Sequence, residues 1–225
     1  MKITKKKVLA VEIAVLIISL SLTVVFFDKF GLISNAKITS VACIGDSITE
    51  LTKYPNVLQT RLDANYLVGN FGVNASTVVF NSSRPYYFEN TFKKARNFLP
   101  DIVVIMLGTN DARTNVYGSI DRFVLDYEKL VSKIQILESN PKIFLVKPPP
   151  ILNNTLNLSN ADLLEGVMPR IEQVAKDLNL TTIDVYTPLA NHPEYFPDGI
   201  HPNNEGANLI ASIVYEAIIS ANENP

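Results

Sequence analysis

The chain has 225 residues, of which 47% are hydrophobic and 19% charged, and its formal net charge is −2. This length suits one domain with a sizeable core, and the composition excludes a disordered or collagen-like chain. A single cysteine excludes an internal disulfide framework, and two histidines argue against a His-rich metal site. Basic residues cluster only near the N-terminus, which argues against a surface that binds nucleic acid.

The first predicted element is an apolar run of 20 residues, 8–27, that follows four lysines. A helix of this length spans roughly 30 Å, the thickness of the hydrocarbon core of a bilayer. We therefore predict a transmembrane signal anchor in residues 1–36, with the basic flank in the cytoplasm and the domain, residues 37–225, outside it. The alternative is a signal peptide cleaved after Ala36, which would leave a secreted protein.

Beyond residue 37, short apolar runs alternate with helical patterns. Strands are predicted at 38–44, 66–71, 101–107, 142–146 and 181–185. Helices are predicted at 55–65, 88–98, 119–138, 162–179 and 203–220. The run 101–107 is apolar almost throughout, which is typical of a strand buried on both faces. Five strands alternating with helices predict a parallel sheet with helices on both faces and no second domain.

Polar motifs follow four of these strands. They are GDSIT at 45–49, GVNAST at 72–77, GTND at 108–111 and DGIHP at 198–202. Ligands of open α/β sheets bind beyond the carboxyl ends of the strands, so we expect a serine, an asparagine, an aspartate and a histidine to meet at one edge. These are the groups that nucleophilic acyl transfer uses, namely a hydroxyl, a general base, a carboxylate and an oxyanion donor.

Together, and in this order, the four motifs resemble those of the GDSL/SGNH hydrolases over roughly residues 38–220. The resemblance implies a three-layer α/β/α sandwich with a five-stranded, mostly parallel, flavodoxin-like sheet. It implies Ser47 as the nucleophile, His201 as the general base and Asp198 as the residue that orients His201. It also implies that the Ser47 backbone N–H and the Asn110 side-chain amide are oxyanion donors, and that the reaction needs no cofactor and no metal.

One position departs from the pattern N-x-G-x-x-G of the family's second motif. Asn70 and Gly72 fit the pattern, but Ala75 stands in place of the second glycine. The third oxyanion donor is a backbone N–H, which alanine supplies if its φ is negative; a positive φ would cost roughly 1 kcal/mol. We assign this donor to the Ala75 N–H and interpret Gly72 as a neighbouring turn residue.

Three further strings resemble the branch of the family that contains sialate O-acetylesterase-like and other carbohydrate acetylesterases: YPNVLQ at 54–59, PPPI at 148–151 and FPDGIHP at 196–202. We therefore expect an esterase that removes short acyl groups, acetyl above all, from small-molecule or glycan esters. Tyr195 and Phe196 are candidate pocket residues. Two alternatives are a lysophospholipase or thioesterase acting on lipids, and a non-catalytic glycan-binding module on the same fold. The sequence is silent on protein partners.

Overall fold

The computed structural model describes residues 13, 16–19 and 37–223. The chain divides into two compact units, Met1–Lys37 and Ile38–Pro225. Residues 13 and 16–19 of the first unit are helical. The described part of the chain contains no helix long and apolar enough to cross a bilayer. Most of the predicted anchor at 8–27 lies outside the described residues, so the structure does not support the anchor, which stays a prediction.

A five-stranded parallel sheet forms the centre of the second unit, with the strand order β2-β1-β3-β4-β5. The strands are β1 (Thr39–Gly45), β2 (Tyr66–Gly72), β3 (Ile102–Met106), β4 (Lys142–Lys147) and β5 (Thr181–Asp184). In the register, Ala42 of β1 pairs with Gly69 of β2 and with Val103 of β3. The predicted sheet is confirmed, and each predicted strand end lies within one residue of the observed end.

Helices connect the strands. They are α1 (Ser47–Leu51), α2 (Tyr54–Leu62), α3 (Asn90–Asn97), α4 (Thr114–Tyr117), α5 (Phe123–Gln135), α6 (Asn160–Asp162), α7 (Met168–Asp177), α8 (Tyr186–Ala190) and α9 (Asn204–Glu223). A π-helical stretch, Leu163–Val167, joins α6 to α7, and 3-10 turns lie at Tyr86–Phe88, Thr109–Ala112, Ile120–Arg122 and Pro193–Tyr195. The short helices α1, α4 and α8 are absent from the sequence prediction, since four or five residues show no clear periodicity.

Hydrophobic residues pack on both faces of the sheet, because successive residues of a strand point to opposite sides. Along β3, Val103 and Ile105 pack in one buried cluster with residues of α3, α5 and α7. Their neighbours Val104 and Met106 pack in the other cluster with residues of α2 and α9. The second unit is thus a three-layer α/β/α sandwich, and the carboxyl ends of its parallel strands meet at one edge of the sheet.

Candidate active site

Ser47 is the first residue of α1, two residues after the end of the buried strand β1. Asp46 caps this helix, because its Oδ1 accepts a hydrogen bond of 2.9 Å from the Ile48 N–H. The turn between strand and helix is tight, since a Cβ on Gly45 would lie 2.7 Å from the Met106 carbonyl oxygen. Strand, cap and helix start together hold the Ser47 side chain, which is largely buried.

The structure brings Ser47 into contact with His201 and Asp198. Nε2 of His201 lies 2.8 Å from Ser47 Oγ, and Nδ1 lies 2.6 Å from Asp198 Oδ2. Partial burial by itself would raise the pKa of Asp198. The hydrogen bonds that the carboxylate accepts from the His201 ring and from the backbone N–H groups of residues 200 and 201 have a larger combined effect, so the pKa of Asp198 is lowered. An ionised Asp198 accepts a hydrogen bond from the Nδ1–H of His201, which keeps the ring proton on Nδ1 and leaves Nε2 free to accept the Ser47 proton.

Gly199 permits the turn that places both His201 and Asp198. Its φ of +81° lies in a region that side chains other than glycine rarely adopt, and a Cβ there would lie 2.1 Å from the Asn153 carbonyl oxygen. The Gly199 carbonyl accepts a hydrogen bond of 2.7 Å from the Leu152 N–H. The turn is therefore packed against the loop that follows β4, and this contact sets the distance between His201 and Ser47.

Asn110 lies in the 3-10 turn after β3 and is 6% exposed. Its Nδ2 donates a hydrogen bond of 3.1 Å to the Ser76 carbonyl oxygen. Its Oδ1 lies 3.4 Å from Arg113 Nη2, a cationic group that can only donate. These two contacts set the orientation of the amide. Because a side-chain amide carries two N–H donors, one remains for an oxyanion after the bond to Ser76.

The loop after β2 has its backbone N–H groups occupied at every position from 72 to 76 except one. The Gly72 N–H donates to Asn70 Oδ1, and the Val73 N–H donates to the Gly45 carbonyl. The N–H groups of residues 74 and 76 donate to Glu50 Oε2 and to the Val73 carbonyl, respectively. In the described part of the chain, the Ala75 N–H has no such partner. Ala75 is therefore the available donor of this loop, and its φ is +60°.

Gly72 is the last residue of β2 and not a turn residue, so the interpretation given from the sequence is wrong. A Cβ at this position would lie 2.3 Å from the Glu50 N atom, in the backbone of α1. Because the Gly72 N–H already donates to Asn70 Oδ1, it is not available to an oxyanion. The glycine at this position is explained by the close approach of β2 to α1.

Two fully buried carboxylates lie beneath these residues. Burial raises the pKa of Asp46 to about 6. Burial, with a smaller contribution from the charge of Asp46, raises the pKa of Asp111 to about 7. The Asp111 carboxylate accepts hydrogen bonds of 2.9–3.1 Å from the Val78 and Val79 N–H groups and so holds the segment that follows Ala75. Sequence analysis missed this role, because the partners lie 32 and 33 residues away.

The side chain of Phe196 is buried, and that of Tyr195 is partly buried. Phe196 is 5% exposed and packs in the hydrophobic cluster that contains α2 and α9. The Tyr195 ring is stacked on His192 with 4.5 Å between centroids. The cavities next to the site are lined by other residues, among them Thr155, Asp198, Asn110 and Arg113. The assignment of Tyr195 and Phe196 to a substrate pocket stays a prediction.

Metal-ligating side chains are not grouped in the described residues: no three His, Cys, Asp or Glu residues there could hold a metal ion together. The cysteine, Cys43, is buried in β1 with a free thiol, and burial raises the pKa of that thiol to about 12. Cys43 therefore has no thiolate available as a nucleophile or ligand.

Known proteins resemble this chain in sequence. The model of the GDSL-like Lipase/Acylhydrolase family matches residues 43–209. An acetylxylan esterase of Xylanibacter ruminicola is 33% identical, with 79% of this chain and 42% of that protein covered. A GDSL esterase/lipase of Oryza sativa subsp. japonica is 18% identical, with 61% and 60% covered. The chain thus spans about two fifths to two thirds of the length of the curated relatives it matches.

Solved structures share the fold. A carbohydrate acetylesterase from Sinorhizobium meliloti matches with a TM-score of 0.65 at 19% identity, and the match covers 81% of this chain and 99% of that one. An aryl esterase of M. smegmatis matches with a TM-score of 0.64 at 20% identity, with the same coverage of both chains. At such identities the likeness concerns the fold alone.

Proposed function

We propose that this chain, which belongs to the GDSL-like lipase/acylhydrolase family, is a serine esterase that hydrolyses short-chain acyl esters, acetyl esters above all, on carbohydrates. The observation that carries the proposal is the hydrogen-bonded path from Ser47 Oγ through the His201 ring to Asp198. The substrate class is supported by the acetylxylan esterase at 33% identity.

In the first half of the proposed reaction, Ser47 Oγ attacks the ester carbonyl carbon and its proton passes to His201 Nε2. The Asp198 carboxylate stabilises the imidazolium that forms. His201 then returns the proton to the alcohol oxygen as the ester C–O bond breaks, which leaves the acyl group on Ser47. In the second half, His201 takes a proton from water as the water oxygen attacks the acyl carbon. It then returns this proton to Ser47 Oγ as the bond between Oγ and the acyl carbon breaks, which releases the acid and restores Ser47.

Three N–H donors are available to the oxyanion of the tetrahedral intermediate: the backbone N–H groups of Ser47 and Ala75 and the side-chain amide of Asn110. The Ser47 N–H belongs to the first turn of α1, where N–H groups have no intrahelical partner. Within the described residues, the Ala75 N–H and the second amide hydrogen of Asn110 have no protein partner. Such donors lower the barrier because the charge they bind develops only in the transition state.

The test is a series of p-nitrophenyl esters with acyl chains of increasing length, hydrolysed by the full-length protein. We expect the acetate to have the highest kcat/KM. A preference for long chains would favour the lipid hydrolase, and no turnover of any ester would favour the glycan-binding module.

The assignment of the nucleophile is tested with Ser47→Ala. This variant should lower kcat by about 10⁶-fold, the scale seen when a serine hydrolase loses its nucleophile. The matched control is Ser132→Ala, at an exposed position on α5, which should keep full activity. Activity of Ser47→Ala close to that of the control would contradict the proposal.

A further inference from the structure

The loop of residues 153–157, which follows β4, is held in a defined conformation by a side chain of its own. Asn154 Nδ2 donates to the carbonyl oxygens of Leu152 and Leu158, both at 2.9 Å. Asn154 Oδ1 accepts from the N–H groups of residues 156 and 158. The Asn157 carbonyl accepts a hydrogen bond from the Thr114 N–H at 3.2 Å, which ties the loop to α4. The surface that the loop presents is therefore preformed.

Three cavities meet around this loop, because neighbouring cavities share lining residues. The first is lined by Asn153, Asn154, Thr155, Pro197 and Asp198. The second shares Thr155 and is lined by Arg113, Thr114, Asn115, Thr155, Leu156 and Asn157. The third is the cavity beside Ala75 and Asn110, and it shares Arg113 and Asn115 with the second. These three neighbouring cavities lie between Asp198 and the proposed oxyanion donors Ala75 and Asn110, and together they are here called the loop groove.

The lining of the loop groove suits a sugar. The side chains of Asn115, Thr155 and Asn157 are exposed, and no hydrogen bond joins them to other residues in the described part of the chain. Amide and hydroxyl groups left open in this way can bind sugar hydroxyls. The second cavity has a volume of about 660 Å³, within the range of small-molecule sites.

Arg113 supplies the charge of this groove. Within residues 37–223 no carboxylate pairs with it, whereas Arg84 and Arg170 are paired with Glu89 and Asp121. Among the described residues, no group forms a hydrogen bond with its buried Nε atom. The planar fork of a guanidinium matches a carboxylate with two parallel hydrogen bonds. The groove therefore offers an unmatched positive charge to an anionic ligand.

The position of Arg113 indicates which part of an ester it would meet. Its Nη2 is 3.4 Å from Asn110 Oδ1, and Asn110 would lie one hydrogen bond from the oxyanion. Since Oδ1 and Nδ2 of the amide are bonded to the same carbon, the guanidinium lies within about 9 Å of the reacting carbonyl, given a hydrogen-bond length of about 3 Å. A sugar joined through the ester oxygen can span this distance, so Arg113 is within reach of the alcohol part of the substrate.

We infer that the loop groove binds the sugar from which the acyl group is removed, and that Arg113 selects sugars carrying a carboxylate, that is, acetylated uronic acids. This inference rests on the proposed function, because it names the alcohol that the esterase would release. The carboxylate of the sugar would form an ion pair with the Arg113 guanidinium, while Asn115, Thr155 and Asn157 would bind the ring hydroxyls.

The test compares two substrates that differ only in the carboxylate, an acetylated methyl glucuronoside and the methyl glucoside acetylated at the same position. For the wild-type protein, kcat/KM should be about tenfold or more higher for the uronoside, the scale of one hydrogen bond to a charged group. Arg113→Gln should bring this ratio close to one. The ratio should also fall in 0.5 M salt, because ions screen the attraction.

Two further variants serve as controls. Arg113→Lys keeps the charge and loses the planar fork, so its ratio should lie between those of the wild type and Arg113→Gln. Arg61→Gln removes a positive charge from the exposed surface of α2 and should leave the ratio unchanged. A ratio near one in the wild type, or an unchanged ratio in Arg113→Gln, would overturn the inference while p-nitrophenyl acetate hydrolysis still upheld the proposed function.

If the wild type hydrolyses no ester at all, the proposed function fails, and binding decides the remaining question. Calorimetry with Ser47→Ala would then compare methyl glucuronoside and methyl glucoside. Tighter binding of the uronoside that is lost on adding Arg113→Gln supports an acidic-sugar site, and equal binding of the two sugars rejects it.

Discussion

At Ala75 the backbone has a φ of +60°, where a Cβ is unfavourable. Glycine keeps the N–H at this position and removes the Cβ. We therefore expect Ala75→Gly to raise the free energy of unfolding by roughly 1 kcal/mol and to leave kcat within a few-fold of wild type. Urea denaturation and ester hydrolysis measure the two effects.

The matched control for this change is Ala217→Gly, within the long helix α9, where glycine should lower the free energy of unfolding by roughly 1 kcal/mol. If Ala75→Gly destabilised the protein as much as the control, the backbone at position 75 would not be strained as the structure indicates.

Of the proposed oxyanion donors, Asn110 is the one whose donating group belongs to a side chain, so it can be changed without altering the backbone. Asn110→Ala should lower kcat by roughly 10²–10³-fold with little change in KM, because the lost hydrogen bond forms only as the oxyanion develops. Asn110→Asp keeps the shape of the side chain but has no N–H when ionised, so it should lose at least as much. Steady-state kinetics of both variants would contradict this role if KM rose and kcat did not fall.

At the scale of the elements, the site depends on the contact between α1 and the end of β2. Asn70 Nδ2 donates to the Thr49 carbonyl at 2.9 Å, and the Glu50 carboxylate accepts from the Asn74 N–H at 2.6 Å. One helix thus carries Ser47, the proposed nucleophile, and holds the loop that carries the Ala75 N–H. Movement of β2 relative to α1 would separate Ser47 from this proposed oxyanion donor.

Gly72 tests this contact. In Gly72→Ala the new Cβ would meet the backbone of α1, so stability should fall by about 1–3 kcal/mol and kcat should fall with it. Gly118→Ala is the matched control, because a Cβ at Gly118 would have no atom within 4 Å. Thermal denaturation and kinetics of the two variants should differ; similar behaviour would show that β2 and α1 are not packed as described.

At the scale of the whole molecule, the buried carboxylates make stability depend on pH. The pKa values of Asp46 and Asp111 are raised to about 6 and about 7 in the folded state, against about 3.9 for an unfolded aspartate. Between these values the folded state holds more protons than the unfolded state, so the free energy of unfolding falls as pH rises. From these groups we expect the protein to be more stable at pH 5 than at pH 8 by a few kcal/mol.

Urea denaturation at the two pH values measures this difference. The lowered pKa of Asp198 acts in the opposite direction, but its contribution to stability is lost only as pH falls through the acid range, below the window compared. Asp111→Asn removes one of the two titrating groups and should reduce the difference between pH 5 and pH 8. An equal difference in this variant would show that Asp111 is not the group responsible.

We also propose that residues 8–27 anchor the protein in a membrane with the domain on the outer side. The full-length protein should then resist carbonate extraction from the membrane fraction, and external protease should reach the domain. A soluble form beginning at Lys37 would instead indicate cleavage after Ala36 and secretion.

The sequence by itself determined the sheet, its five strands and the places of Ser47, Asn110, Asp198 and His201. Apolar periodicity is a local property, and the carboxyl ends of parallel strands share one edge whatever the details of packing. It did not determine the short helices α1, α4 and α8, nor the burial of Phe196, because each of these depends on contacts with distant segments.

Tertiary structure alone decided which N–H of the loop after β2 is free. Gly45 and Glu50 occupy two of the neighbouring N–H groups from more than twenty residues away, and their positions depend on how β2 packs against α1. The same holds for the φ of Ala75, the partners of Asp111 and the unpaired charge of Arg113. A motif specifies which groups are present, whereas hydrogen bonding between segments remote in sequence decides which of them remain available to a substrate.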